Sequence, residues 1–464
     1  MTQKLTSVDN AFFQLESHDT PMHVAGLQIF TLPAHAPADY VQNLVAHLRS
    51  PTQLSAPWNV RLRQSALGRG WCTDRDVDLD YHVRHLALPR PGGERELGAL
   101  VSRLHSQRLS RHRPLWECHV IEGLERNRFA IYTKIHHALA DGVTTIRLLT
   151  QALSEAPEAA TPAPWAATDA PTPASEPARR APLRKLCTQL ATLPALAQAA
   201  GRMARSTVGA GEAFALPFSA PSSVLNAPVT GQRRYATQQL SIGRLKAAGK
   251  ATDATVNDVV LALCGSALRR FLKDANALPS RSLVAAVPMS MREPGDTASA
   301  NAVSIMFAGL GTDIADPVER LRQVKRSTAG GKSHLRAIPK GGHPLYNSLL
   351  LAPFALQVIT GIGAQARPCF NVTVSNVPGP NRPMYLQGAA LEAFYPVSIA
   401  AHGQAVNITC TSYNGSLNFG IAGCRDALPH LQRVAVYLGE ALGELEAALG
   451  LTQAPPQRVI RNAA

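Results

Sequence analysis

His136-His137-Ala138-Leu139-Ala140-Asp141-Gly142 is the stretch on which the reading of this chain turns. It follows Arg128 to Ile135, where Phe129, Ile131, Thr133 and Ile135 share one face, the pattern of a half-buried strand. It precedes Gly142 to Leu153, which reads as a helix. Two imidazoles are therefore expected at a strand end, with an acid and a glycine in the turn beyond. A neutral imidazole there can take a proton from a hydroxyl, because its ordinary pKa of about 6.5 lies near working pH. Asp141 can fix the loop, and Gly142 lets a substrate chain approach closely. The plainer alternative is a polar strand-end turn. A metal site is disfavoured, since no HExxH and no second His/Cys cluster accompanies the pair.

Further out, His23 to Phe30 reads as a strand. Asp39 to Leu48 carries Tyr40, Val41, Leu44 and Leu48 at helical spacing. Glu96 to Leu109 does the same with Leu97, Leu100, Val101, Leu104 and Leu109. Beyond residue 153 the composition shifts. Ser154 to Ala178 is rich in Ala, Pro, Glu and Thr, which predicts an extended linker. Arg179, Arg180, Arg184 and Lys185 then precede Leu186, Leu190, Leu193 and Leu196, which reads as a basic amphipathic helix with a kink expected at Pro194. A second globular part starts at about Arg233. Its strands are expected at Ser282 to Val287, Phe370 to Val374, Val406 to Ser412 and Leu417 to Ile421. Its helices are expected at Asn257 to Phe271 and Leu431 to Leu449. The expected class is α/β, with domains at 1–153 and 233–464 and a linker at 154–232.

The 464 residues hold 46 Lys+Arg against 32 Asp+Glu, a formal charge of +14 that calls for an anionic partner. Aromatics are only 5% and the basic charge is dispersed, so a stacking platform for nucleic acid is not evident. Seven cysteines without a CxxC rule out a disulfide scaffold and a zinc ribbon, and fit a reduced, cytoplasmic setting. The polar start, Met1 to Asn10, does not read as a signal peptide. The longest apolar run, Leu349 to Ile362, is shorter than the ~20 residues of a spanning helix and contains Pro353 and Gln357.

No Gly-x-Ser-x-Gly elbow is present, so a serine-hydrolase reading has no anchor. Gly330-Gly331-Lys332-Ser333 lacks the upstream glycine of a P-loop. Val374-Ser375-Asn376-Val377-Pro378-Gly379-Pro380 ends a strand in a rigid turn. It is either structural, or it presents the Ser375 hydroxyl and the Asn376 amide to an oxyanion. Asn257-Asp258 opens an apolar helix, as an N-cap or as part of a site.

Taken together, these residues resemble the bacterial wax ester synthase/acyl-CoA:diacylglycerol acyltransferase family. The resemblance is carried by Asp9, Phe12, Pro21-Met22-His23-Val24, Leu79-Asp80-Tyr81-His82-Val83-Arg84 and Arg113-Pro114-Leu115-Trp116-Glu117. It continues through the His-His motif, Asn257-Asp258, Asn301 with Ser304, Ser375 to Pro380, and Ser412-Tyr413. Ser110 departs from the family, which usually has Asp there.

The resemblance implies two chloramphenicol acetyltransferase-like domains with the active site at their interface. It implies acyl-CoA as a substrate, no cofactor, and diacylglycerol or a long-chain alcohol as acceptor. It implies His137 as general base, His136 in support, Asp141 as a structural residue, and Gly142 beside the substrate. Asn257, Asp258, Ser375, Asn376 and Trp116 would bind substrate or shape the site. With lipid substrates and no spanning helix, peripheral attachment to the inner membrane or to lipid inclusions is expected. Two competing readings are a condensation domain that forms amides and a lipid-coating protein that kept the fold without catalysis.

Overall fold

The computed structural model describes residues 2–65, 68–167, 215, 218–290, 303–339, 342–360 and 367–451. Two six-stranded mixed sheets dominate. The first is ordered Tyr385–Leu386, Ala389–Val397, His23–Thr31, Arg128–His136, Trp116–Leu124, Val83–Ala87. Its last pair is parallel and the others antiparallel.

Arg128–His136 is buried along its whole length rather than half-buried. Both of its faces are covered, as in the interior strands of layered α/β proteins. Phe129, Ile131 and Ile135 pack with helices Tyr40–Arg49 and Gly142–Gln151. Ala130 and Tyr132 on the other face pack with Leu97, Leu100, Val101 and Leu104 of helix Glu94–Ser106.

The second sheet is ordered Val303–Gly309, Val284–Ser290, Val372–Val377, Val406–Tyr413, Ser416–Cys424, Arg233–Ser241. Val372, Val374, Ile408, Cys410, Phe419 and Ile421 face helices Val256–Asp274, Pro317–Arg336 and Arg433–Ala448 in one apolar core.

Chain order and sheet membership diverge at residues 385–397. These belong to the later half of the chain, yet Ala389–Val397 pairs with His23–Thr31, with Tyr395 opposite Leu27. The alternation of Leu391, Phe394, Ala393 and Tyr395 gives this strand an apolar side chain for each core of the first sheet.

Over its described part, 154–167, the segment expected to be an extended linker is packed against the first half instead. Ser154 bridges Tyr385, and Leu54 bridges Ala166. Trp165 is fully buried, stacks on Trp116 at 4.8 Å, and donates its indole N–H to the Leu48 carbonyl. One large aromatic is enough to pin an otherwise Ala/Pro-rich segment. The basic helix expected over 179–196 lies outside the described residues.

Two serines join the halves. Arg233–Ser241 is an edge strand, which leaves backbone N–H groups without a ladder partner. Ser106 Oγ accepts from the Arg233 N–H at 2.8 Å, and Ser102 Oγ accepts from the Tyr235 N–H at 2.9 Å. Elsewhere the sheets touch backbone to backbone: a Cβ on Gly420 would lie 1.7 Å from the Pro396 carbonyl oxygen.

Candidate active site

The two imidazoles are set by backbone bonds to distant segments. The His136 N–H donates to the Leu115 carbonyl at 2.9 Å, and the His137 N–H donates to the Met22 carbonyl at 2.8 Å. The Pro-Leu-Trp and Pro-Met-His segments noted in the sequence thus hold the two histidines from either side.

His136 is buried and stacks on Phe13, with ring centroids 4.7 Å apart. Its Nδ1 accepts from the Ala138 N–H at 3.1 Å, so Nε2 carries the ring hydrogen. That Nε2 points at Glu16 Oε1, 3.6 Å away.

His137 stacks on Phe12, with centroids 4.3 Å apart and planes 24° from parallel. Its Nδ1 is buried without a hydrogen-bond partner while the residue as a whole is half-buried, so Nε2 is the nitrogen left to meet a substrate. Burial pushes its pKa below the usual 6.5, with the Asp141 charge and its own backbone pulling the other way. A neutral imidazole with an accessible nitrogen is the form a general base needs.

Asp141 is the N-cap of helix Gly142–Gln151 and accepts from the Thr144 N–H at 2.7 Å. A Cβ on Gly142 would meet nothing within 4 Å, so no protein atom demands glycine there. The space in front of it is open to a ligand.

Glu16 is the group that sequence reasoning missed. It ends the N-terminal helix Ser7–Leu15 as its C-cap residue and is buried. It receives Arg111 at 2.5 and 2.9 Å and Arg108 at 3.2 Å, and His136 Nε2 lies 3.6 Å away without a hydrogen bond. Burial alone would raise its pKa, but His136 and Arg111 outweigh that and hold it at about 2. A lone carboxylate nearly a hundred residues from its arginines leaves no local signal in a sequence.

The wall facing His137 is apolar. Phe12, Leu15 and Met22 pack with Phe354 and Val358 of helix His343–Thr360, and with Ile399 and Ala401. The second sheet carries a polar face of its own. Asn407, Thr409, Thr411 and Asn418 are buried on the sheet face opposite its helices. That face meets the first half, since Tyr235 and Ala422 on it join the core around Leu97 and Val101.

The remaining expected site residues separate. Trp116 is buried among Trp58, Trp165 and His82 and donates to the Trp58 carbonyl at 2.7 Å, so it supports the strand from within the core. Ser375 and Asn376 cannot serve one oxyanion through their side chains from adjacent strand positions. Ser375 shares the inter-sheet face with Thr409, while Asn376 lies beside Cys410 on the other face and is exposed.

Asn257-Asp258 is not the cap itself. Thr255 is the N-cap, and Asp258 closes its capping box at N3. The second oxygen of Asp258 accepts from Thr328 at 2.6 Å and lies 3.9 Å from Lys332, all within the second half. Asn257 is half-buried beside it. Ser304 lies within hydrogen-bond distance of His343 and Asn347. Asn301 lies outside the described residues. Lys332 and its neighbouring glycines sit inside helix Pro317–Arg336, not in a phosphate loop.

A histidine at the end of the central strand of a two-sheet α/β fold, with one ring nitrogen unpartnered, is an arrangement a general base can use. Residues 5–260 match the wax ester synthase/diacylglycerol acyltransferase catalytic domain, and residues 299–446 match the C-terminal domain of the same family. The chain belongs to that family of enzymes.

A Mycobacterium tuberculosis protein assigned as a diacylglycerol O-acyltransferase is 42% identical, over 97% of this chain and 98% of its own length. The O-acyltransferase WSD of Acinetobacter baylyi is 38% identical, over 96% of this chain and 97% of its own. The solved wax ester synthase/diacylglycerol acyltransferase of Marinobacter aquaeolei superposes with a TM-score of 0.80 at 39% identity, covering 97% of this chain and 100% of that one. A condensation domain of the calcium-dependent antibiotic synthetase superposes with a TM-score of 0.58 at 17% identity, covering 100% of this chain and 99% of that one, and shares the fold alone.

Proposed function

We propose that this enzyme moves a long-chain acyl group from acyl-CoA to the hydroxyl of diacylglycerol or of a long-chain alcohol, with His137 as general base. The observation that carries this reading is the placement of His137, its ring stacked on Phe12, its backbone N–H bonded to the Met22 carbonyl and its Nδ1 unpartnered.

Nε2 takes the hydroxyl proton as the acceptor oxygen attacks the thioester carbonyl. The tetrahedral oxyanion collapses, the C–S bond breaks, and the CoA thiolate takes the proton back from the imidazolium. The ester and free CoA leave, and no covalent bond to the enzyme forms. Asp141 orients the turn through its cap, and Glu16 holds His136. The apolar wall of Phe12, Phe354 and Val358 suits acyl chains.

Peripheral contact with a lipid surface belongs to the same reading. Leu349, Leu356 and Ile359 are 64%, 61% and 60% exposed on helix His343–Thr360, whose inner face lines the site. No helix among the described residues is long and apolar enough to cross a membrane. Exposed leucines on an uncharged helix favour shallow insertion into an acyl layer.

The test is an acceptor panel. With palmitoyl-CoA, thiol release should rise on adding hexadecanol or diacylglycerol. Release that responds to an amine alone would move the assignment to amide formation.

A further inference from the structure

A cleft of about 860 Å³ opens between helix Glu94–Ser106 and strand Arg233–Ser241, where the two halves meet. That is large enough for a sizeable ligand, since ligand pockets run to roughly 300–1,000 Å³. Six arginines line it: Arg95, Arg103, Arg108, Arg233, Arg234 and Arg425. Against them stands one lining carboxylate, Glu94, and it is turned to Arg128 at 3.5 Å.

Two of the six are paired with carboxylates, Arg108 with Glu16 at 3.2 Å and Arg425 with Asp426 at 3.5 Å, and the other four have no carboxylate partner among the described residues. Arg95 and Arg103 are exposed and face no carboxylate among the described residues. Arg234 donates to the neutral amide of Gln432 at 2.9 Å. Arg233 is buried, and its guanidinium is held by backbone carbonyls, including Asp19 at 2.6 Å and Ala400 at 3.1 Å. Such a surface recognises an anion with several charges, and guanidinium forks match phosphate oxygens.

One end of the cleft lies near the catalytic turn. Arg108 lines it and pairs with Glu16 at 3.2 Å, and Glu16 lies 3.6 Å from His136. The floor beside Arg95 and Arg103 is made of Gly98, Ala99 and Ser102, residues too small to fill it.

We propose that this cleft holds the phosphate-bearing end of the acyl-CoA donor, a nucleoside 3′-phosphate 5′-diphosphate, with the thioester arm running past Arg108 toward His137. The assignment rests on acyl-CoA being the donor at His137. Arg95, Arg103 and Arg234 make the phosphate contacts, while Arg233 adds charge from its fixed position.

The test compares the wild type with an Arg95→Glu, Arg103→Glu double variant and with its milder Arg95→Gln, Arg103→Gln counterpart. Two donors are assayed: palmitoyl-CoA, and palmitoyl-N-acetylcysteamine, which has no phosphate. The ratio of kcat/KM for the two donors should fall at least tenfold in the charge-reversed variant and by less in the glutamine variant. Calorimetry with adenosine 3′,5′-bisphosphate should show wild-type binding that weakens at least tenfold in the charge-reversed variant and with rising salt.

An unchanged donor ratio with unchanged bisphosphate binding overturns the proposal. So does an unchanged ratio with lost binding to phosphatidylglycerol vesicles, which would assign the arginines to lipid headgroups. Wild-type binding of inorganic phosphate as tight as that of the bisphosphate overturns it as well. If the wild type uses neither donor yet binds the bisphosphate through these arginines, the acyl-transfer reading fails and the nucleotide site stands.

Discussion

Glu16 Oε1 stands 3.6 Å from His136 Nε2, and so ties the C-cap of the first helix to the last residue of the central strand. The pair orders the turn that carries His137, because His136 also accepts from the Ala138 N–H inside that turn. The carboxylate does this as an anion, held at about pKa 2 against an ordinary 4.5. A depressed acid stabilises the fold above its unfolded pKa, and that contribution is lost as pH falls from 4.5 toward 2. Its size is on the order of 3 kcal/mol. Glu16→Gln should therefore lower stability at pH 7 by a comparable amount, with the gap to wild type closing near pH 2–3. Urea unfolding at a series of pH values measures it, and a gap independent of pH would contradict the account.

The His137 pKa is lowered by burial and raised by Asp141, which fixes the sign of two pH effects. The neutral base persists below pH 6.5, so the acidic limb of kcat/KM should have its midpoint under 6.5. Asp141→Asn keeps a good N-cap residue while removing the charge. It should move that midpoint further down. A midpoint that moves up, or not at all, would show that Asp141 does not act on His137 electrostatically.

Ser102 and Ser106 satisfy two N–H groups of an edge strand from the other half. Leaving such buried donors without partners costs about 1–3 kcal/mol each. The Ser102→Ala, Ser106→Ala variant should unfold at clearly lower denaturant. Unchanged unfolding would mean that other contacts carry the junction.

Leu349, Leu356 and Ile359 are exposed on one helix. Replacing all three with Ser should reduce flotation with phosphatidylcholine–diacylglycerol vesicles several-fold. Equal flotation would remove this helix from the lipid contact.

The motif strand, the turn and the helix after it were legible because their signals are local: alternation, a cap and a 3.6-residue stripe. Helices Tyr40–Arg49, Val256–Asp274 and Arg433–Ala448 lie within a few residues of expectation for the same reason. The Ala389–Val397 strand was not legible as part of the first sheet, since pairing with residues 23–31 leaves no trace in either segment. Glu16 was hidden similarly, its partners lying at Arg108, Arg111 and His136. The 154–167 segment misled by composition, which averages away the single Trp165 that anchors it. Trp116 and Asp258 stood out in the sequence as site residues, yet their contacts are those of a core and a capping box.

The central claim is that His137 Nε2 removes the acceptor's proton. CoA thiol release from palmitoyl-CoA with hexadecanol, measured for wild type and His137→Ala at matched folded concentration, tests it most directly. Turnover should fall by about 10²–10⁴-fold, the usual worth of a general base, with a smaller fall for His136→Ala. Near-normal thiol release by folded His137→Ala would contradict it.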